Sequence, residues 1–417
     1  MDVSLIHPSE LGPAEIAAWH AMQRDTPSLA NPFLSPEFAM AVGRFRPGAR
    51  VAVLTEGQSI TGFFPFERRQ FSAGVPICGW LTPCQGVIHA PGAEWDPREL
   101  LRGCRISAWR FDNLIVDQKP FVGYHSAIVA APLIDLSDGF ESYYAKVRMK
   151  SPRFWKEIAR RARKLEREFG ELRVVADSRD PVALRTLLTW KSEKYRQTSH
   201  VDRFEQPWLV ALLDTLQATR GAYLSGALSA LYAGDQLVAA QFGLRTQNLL
   251  VGWFTGYESS LRKYSPGLIH IKGLAEEMAA AGLHTIDMGG GAKNYYKEMM
   301  KSDDSFVAQG VVTNYSMLGI AHHARSTVTW TARRAVREHP RLHRAADELF
   351  RRSGLAHRIY GRILTSPGGA STSAPRRLAQ GGSRTRPTRR EPPGRERRPC
   401  GSAAPFRASP YRCRHWS

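Results

Sequence analysis

The stretch LLVGWFTGYESSLRKYSPGLIHIKG, residues 249–273, changes its periodicity halfway along. Its first nine residues are apolar, β-branched or aromatic and read as a buried strand. A loop holding Arg262 and Lys263 follows, and Ser265-Pro266-Gly267 opens a helix. Serine suits an N-cap, proline fits the first turn, and glycine leaves the backbone accessible. Leu268, Ile271, Leu274, Met278 and Ala281 then recur at helical spacing, which predicts a helix over 267–281 with one buried face. Gly282 ends it. A helix start of this kind presents free N–H groups and partial positive charge, and two adjacent cations suit a pyrophosphate. The alternative is a well-capped helix that binds nothing.

Outward from this stretch the pattern continues. Downstream come a short strand, HTIDMG (284–289), a glycine-rich turn, GGGAK, a helical NYYKEMMK and a last strand, FVAQGVV. Upstream, strands are predicted over 222–232, 236–245 and 248–257. Before them lie helices over 153–169, 181–196 and 207–219, the first strongly basic and ended by Gly170. Helices leading into and out of such strands predict an α/β layered domain with a mixed sheet.

The chain also hints at a repeat. VAVLTEGQSITGFF (51–64) and LSALYAGDQLVAAQ (228–241) are both strand–turn–strand, with Gly57 and Gly234 at the turns and 177 residues between them. Two copies of one fold would explain this.

Composition narrows the function classes. The formal charge is +20, yet residues 321–370 hold +7 and 371–417 hold +10, which leaves +3 for residues 1–320. The basic character belongs to the C-terminal quarter, so the charge alone does not imply a nucleic-acid-binding core. No apolar run reaches the length of a membrane span, and MDVSLIHPSELGPAE lacks the charged and apolar regions of a secretory signal. The five cysteines (Cys78, Cys84, Cys104, Cys400, Cys413) form no CxxC pair, so neither a disulfide framework nor a zinc site is expected, and a cytoplasmic location is. His270, His284, His322 and His323 lack ligand-like spacing and receive no metal role; each is expected to be satisfied or exposed. Residues 322–364 alternate Arg with apolar residues and predict basic helices. From about Ser366 the Pro, Gly, Ser and Arg content predicts disorder. That region is read as a contact for anionic lipid of the inner membrane or nucleic acid, as an inert extension, or as an out-of-frame terminus.

In the body, Asp287 and the glycines after it leave backbone open at a strand end. Asp287 serves as a base or as a turn cap. Tyr296 donates a proton to a leaving group or packs in the core. Cys78 and Cys84 read as core thiols.

Several features in order carry a resemblance: the basic helix RRARKLEREFG, the hairpin LSALYAGDQLVAAQFGL, the segment YESSLRKYSPGLIHIKGLAEEMAAAGLHTIDMGGG and the pair Tyr296-Lys297, with FLSPEF (33–38) and Gly62–Pro65 in the first half. The chain resembles the BioF2-like, CelD-type acetyltransferases of the GNAT superfamily, which are related to the Fem aminoacyl transferases. The resemblance implies tandem GNAT-like domains: 1–135 and 136–320, followed by a basic helical extension over 321–365 and a tail over 366–417. It implies acyl-CoA, and no metal, in the second copy. Two parallel strands would splay there, with backbone near Trp253, Phe254 and Thr255 pairing with the pantetheine arm and an N–H near Phe254 polarising the thioester carbonyl. Arg262, Lys263, Ser265, Pro266, Gly267, Leu268 and Gly289 would complete the cofactor site. Tyr296 would protonate the thiolate, and Asp287 would act as base through water. Lys191, Lys194, Tyr195 and Arg196 would face the acceptor or stay solvated. The usual glycine-rich GNAT phosphate loop is absent, and Ser-Pro-Gly stands in its place.

The expected function is acyl-CoA-dependent N- or O-acyl transfer to a sugar, a polysaccharide precursor or a related small molecule. The rivals are a Fem-like transferase that takes its group from aminoacyl-tRNA and a scaffold that has lost catalysis.

Overall fold

The two hairpins foreseen from the sequence are the centres of two similar halves. A computed structural model describes residues 1–198, 201–290 and 295–314. The basic extension and the tail expected beyond residue 320 lie outside the described residues, as do Cys400, Cys413, His322 and His323. In the first hairpin, β2 (Ala49–Glu56) pairs with β3 (Ser59–Arg68); in the second, β9 (Ser225–Ala233) pairs with β10 (Gln236–Arg245). Gly57 and Gly234 turn them with φ of +60° and +58°, a region that favours glycine. Each second strand carries one extra residue in the ladder, Thr61 in β3 and Val238 in β10, again 177 positions apart.

The remaining elements repeat around these hairpins. The first half contributes β1 (Asp2–Ile6), α1 (Pro13–Asp25), α2 (Pro36–Gly43), β4 (Ala73–Pro76), the short β5 (Ile88–His89), α3 (Pro97–Gly103), β6 (Ala108–Ile115) and β7 (His125–Asp135). After α4 (Gly139–Lys150) and α5 (Pro152–Phe169), the second half contributes β8 (Leu172–Val175), α6 (Pro181–Gln197), α7 (Pro207–Ala218), β11 (Leu249–Tyr257), α8 (Pro266–Ala280), β12 (Thr285–Asp287), α9 (Tyr295–Met300) and β13 (Asp303–Thr313). All thirteen strands of the described residues form one sheet, in the order β1-β2-β3-β4-β6-β13-β7-β12-β11-β10-β9-β8, with β5 beside β3. In both halves a parallel pair is joined through a helix: β4 with β6 across α3, and β11 with β12 across α8.

The halves exchange their last strands. β7 follows β6 in the chain but pairs with β12 of the second half, while β13 follows β12 but pairs with β6 of the first. The two exchanged strands lie against each other at the centre, from Asp303 opposite Leu133 to Gly310 opposite His125.

One layer of helices covers each face. On one, a single core joins both halves: Trp19, Phe33, Phe38 and Phe63 pack in one cluster with Leu184, Leu212, Phe242 and Phe254 from the α6–α7 side. On the other, Tyr143, Trp155, Leu274 and Met278 of α4, α5 and α8 pack together. Neighbouring residues of β11 divide accordingly, Leu250 to the α8 cluster and Val251 to the α6 cluster. Helix α5 explains itself: Trp155, Ile158, Ala162 and Leu165 are buried, while Arg153, Lys156, Arg160, Arg163 and Arg167 face out.

Helix α8 corrects two expectations. Ala281 is exposed beyond its end, and the buried set includes Ile269 and His270. The buried stripe is wider than a single face because α4 and α5 cover the helix on the side away from the sheet. His270 is buried, and among the described residues neither ring nitrogen has a hydrogen-bond partner, so it is not a satisfied histidine.

Candidate functional site

Strand β11 outruns its parallel neighbour. It pairs with β12 only as far as Val251 opposite Asp287, then continues to Tyr257 on the β10 side. From Gly252 onward its β12-facing edge has no strand partner among the described residues. The ladder with β10 steps from Gly243–Gly252 to Phe242–Phe254, so Trp253 is a bulge at the point where the strands part. Bulges re-aim backbone N–H and C=O groups out of the ladder. The Trp253 indole N–H donates to Leu81 O at 2.8 Å and ties the bulge to the first half.

A cavity of about 370 Å³ opens at this gap. The first half supplies Leu81, Pro83 and Asn113, and the exchanged strands supply Val129, Val307 and Gln309. The second half supplies Gly252–Phe254, Met288–Gly290, Lys191, Tyr195, Arg203 and Lys297. Strand exchange therefore places residues of both halves around one space.

Across the gap, β12 ends in a turn fixed from two sides. Asp287 Oδ1 accepts from Gly289 N at 2.7 Å, so the carboxylate caps the turn. Gly289 takes φ of +76° there. Lys297 Nζ donates to three successive carbonyls, Met288 O at 2.7 Å, Gly289 O at 2.8 Å and Gly290 O at 3.0 Å. Burial pushes the Asp287 carboxyl up, against the Gly289 N–H and the Lys297 ammonium. Burial likewise pushes Lys297 down, while Asp287 opposes it.

Helix α8 starts without a cap from its own sequence. Ser265 sits in the left-handed region (φ +55°), and its hydroxyl makes no capping bond; instead it accepts from Arg161 of α5. Gly267 has room, since an added Cβ would meet only Tyr257 Cδ1 at an ordinary 3.5 Å. Arg262 and Lys263 are exposed on the turn before the helix.

The first half is built differently at the corresponding place. Helix α3 is capped by Asp96, whose carboxylate accepts from Arg98 N and Glu99 N, both at 2.9 Å. The space near the end of β4, lined by Phe33, Pro76, Cys84 and Trp109, holds only about 10 Å³. The open gap between parallel strands is the one at β11 and β12, in the second half.

Of the residues singled out in the sequence, Trp253, Phe254, Gly289, Lys191 and Tyr195 line the cavity. Ser265, Pro266, Gly267 and Leu268 form the start of α8. Thr255 donates to Gln241 Oε1 at 3.1 Å. Lys194 is exposed, and Arg196 reaches the Asp202 carboxylate at 3.7 Å. Tyr296 is half-buried against the α8 cluster, not in the cavity wall, and burial pushes its phenol up. Cys78 and Cys84 are buried and free. Sequence reasoning missed the three-carbonyl grip of Lys297 and the position of Arg203. Among the described residues no group of acids, histidines and cysteines could hold a metal, and no helix is long and apolar enough to cross a membrane.

Residues 152–298 match the family described as acetyltransferase (GNAT) domain. No curated protein matches the sequence. Among solved structures, the chain is similar to FemX (9% identity, TM-score 0.46, covering 74% of this chain and 96% of that one). It is also similar to a tandem GNAT protein from the clavulanic acid biosynthesis pathway (9%, TM-score 0.41, 75% and 98%). A third is a GNAT-family acetyltransferase from Colwellia psychrerythraea (11%, TM-score 0.39, 76% and 100%). The match over residues 152–298 makes that part of the chain a GNAT-type acetyltransferase domain, and the protein an acyltransferase.

Proposed function

We propose that the protein transfers an acyl group from acyl-CoA to an amine or hydroxyl of a sugar, polysaccharide precursor or related small molecule, as in BioF2-like enzymes. The observation that carries this is the junction of three features: a bulged strand edge left open where β11 and β12 part, a cavity at that gap, and a helix start whose own residue does not cap it. The open edge at Trp253–Thr255 would hold the pantetheine arm by backbone hydrogen bonds. The first turn of α8, with Arg262, Lys263 and Arg161 nearby, would hold the pyrophosphate.

In this reading the acceptor enters from the α6 side and attacks the thioester carbonyl in the gap. Backbone N–H at the bulge stabilises the developing oxyanion, an interaction stronger in the transition state than in the ground state. Asp287 caps the turn and does not line the cavity, so the acceptor's proton passes to water in the gap. Tyr296 packs against the α8 cluster outside the cavity wall, so the departing thiolate takes its proton from solvent.

Calorimetry of acetyl-CoA with the full chain tests the donor. Micromolar binding is expected, weakened at least about tenfold in Gly267→Trp. Equal binding by a folded Gly267→Trp variant would place the donor elsewhere. A second reading, transfer from aminoacyl-tRNA, draws support from the five outward cations of α5. It expects tRNA to copurify and transfer to fall steeply with salt. Protein free of nucleic acid that turns over acetyl-CoA would remove it.

A further inference from the structure

Among the described residues the cavity wall contains three cations, Lys191, Arg203 and Lys297, and no carboxylate. They are not equivalent. All three N–H groups of the Lys297 ammonium are spent on carbonyls, so it has nothing left for a ligand. Lys191 and Arg203 differ: among the described residues neither has an ion-pair partner. The nearby carboxylates are engaged elsewhere. Asp202 accepts from Ser192 Oγ at 3.1 Å and from Phe204 N at 3.0 Å, with Arg196 on its far oxygen at 3.7 Å. Asp112 accepts from Gln85 Nε2 at 2.6 Å. The ammonium of Lys191 rests 5.2 Å from the Tyr195 ring centroid.

Two half-buried cations that share one cavity repel each other, and burial strengthens that repulsion. The Lys191 ammonium is pushed down by burial first and by Arg203 second, which is the signature of a site short of negative charge. Their side of the sheet matters too. Lys191 belongs to α6 and Arg203 to the turn leading into α7, on the face opposite α8. A donor anchored at the start of α8 keeps its phosphates on the other face.

We propose that Lys191 and Arg203 form an anion subsite that selects an acceptor carrying a carboxylate or phosphate. The word acceptor rests on the acyl-CoA reading above; the subsite itself does not. Arg203 offers a planar fork that matches either oxyanion, and Lys191 adds a point charge beside it. Tyr195, beside Lys191 in the cavity wall, supplies an apolar face for the carbon skeleton that carries the anion.

The test reads the subsite without requiring turnover. Lys191 of the full chain is reductively methylated, and its rate is followed by peptide mass spectrometry in rising inorganic phosphate or acetate. Occupancy should slow Lys191 by 1 + [L]/Kd, about tenfold at about nine times Kd. Protection should saturate, be absent at exposed Lys194 and disappear in Arg203→Ala; Arg203→Lys should retain part of it. Saturation by phosphate alone, or by acetate as well, tells which anion the acceptor brings. Acetyl-CoA calorimetry runs in parallel on the same proteins. Donor binding without protection by either anion overturns the subsite and leaves the donor reading intact. Protection without donor binding keeps the subsite and overturns the donor. Equal protection in wild type and Arg203→Ala overturns the assignment to this pair.

Discussion

Replacing Lys297 by methionine removes the clasp on the turn that forms one wall of the cleft. The lysine is 6% exposed and donates three charge-assisted bonds of 2.7–3.0 Å to Met288, Gly289 and Gly290. Bonds of this kind contribute roughly 1.5–3 kcal/mol each. Two terms reduce the total. Burying an ammonium costs several kcal/mol, and methionine escapes that cost. Gly290 is exposed, so water can serve its carbonyl in the variant. The remainder, about 2–4 kcal/mol, reflects two carbonyls left poorly served and Asp287 left beside an uncharged side chain. At about 2–4 °C per kcal/mol the thermal midpoint should fall by about 4–16 °C. The turn faces the gap, so a displacement near 1 Å should also lower kcat/KM by about a hundredfold. Lys297→Arg should rescue neither, because a planar guanidinium cannot point three donors at three successive carbonyls. Differential scanning fluorimetry with a thiol-release assay reads both effects. A Lys297→Met variant with an unchanged midpoint and unchanged transfer would refute the reasoning.

Two further outcomes are expected. Burial pushes the His270 pKa down to about 4, below its ordinary 6.5, so between these values the unfolded chain binds a proton that the native state refuses. Stability is therefore lost as pH falls through that window, by about 2 kcal/mol at pH 5; unfolding free energies from urea titration at about pH 7.5 and about pH 5 should differ by about this much in wild type and by clearly less in His270→Leu. At Gly226 an added Cβ would lie 2.1 Å from Leu216 O and 2.8 Å from Gln217 Cα, so β9 and the end of α7 must move apart. Gly226→Ala should cost about 1–3 kcal/mol or more in urea unfolding, whereas Gly123→Ala, with nothing within 4 Å, should be nearly neutral.

Local features of the fold were legible in the sequence. The helix start at Ser265-Pro266, the left-handed glycines at 170 and 282, and the paired hairpins all appear where residue chemistry places them. Even the repeat spacing of 177 is met, down to the bulges at Thr61 and Val238. Long-range partnership was not legible. Nothing in HSAIVAAPLID says that β7 should pair with β12 and not stay beside β6, since edge choice depends on what else fills the sheet. The bulge at Trp253 arises from a register step against β10, not from a local motif. Lys297 helps to carry the resemblance but gave no signal of its grip, because a lysine near glycines reads as solvated; only the fold turns three carbonyls toward it. Arg203 is hidden for a related reason, since the neighbouring Asp202 and Phe204 suggest a capped turn and say nothing of the cavity beyond it.

The strand exchange also sets the order in which the protein can be completed. On the ribosome, β6 emerges with one edge open, and its native partner β13 begins nearly 190 residues later. At about 5–20 residues per second that edge waits roughly 10–40 s for its partner. Throughout this interval β7 is already present, tethered to β6 by a short connection, and any hairpin between them must be undone before the sheet can close. Exposed strand edges recruit other chains, so the nascent first half is the stage at which this protein most needs protection from its own neighbours. A chain stopped before residue 303 has every residue of its first half and still lacks the strand that finishes it.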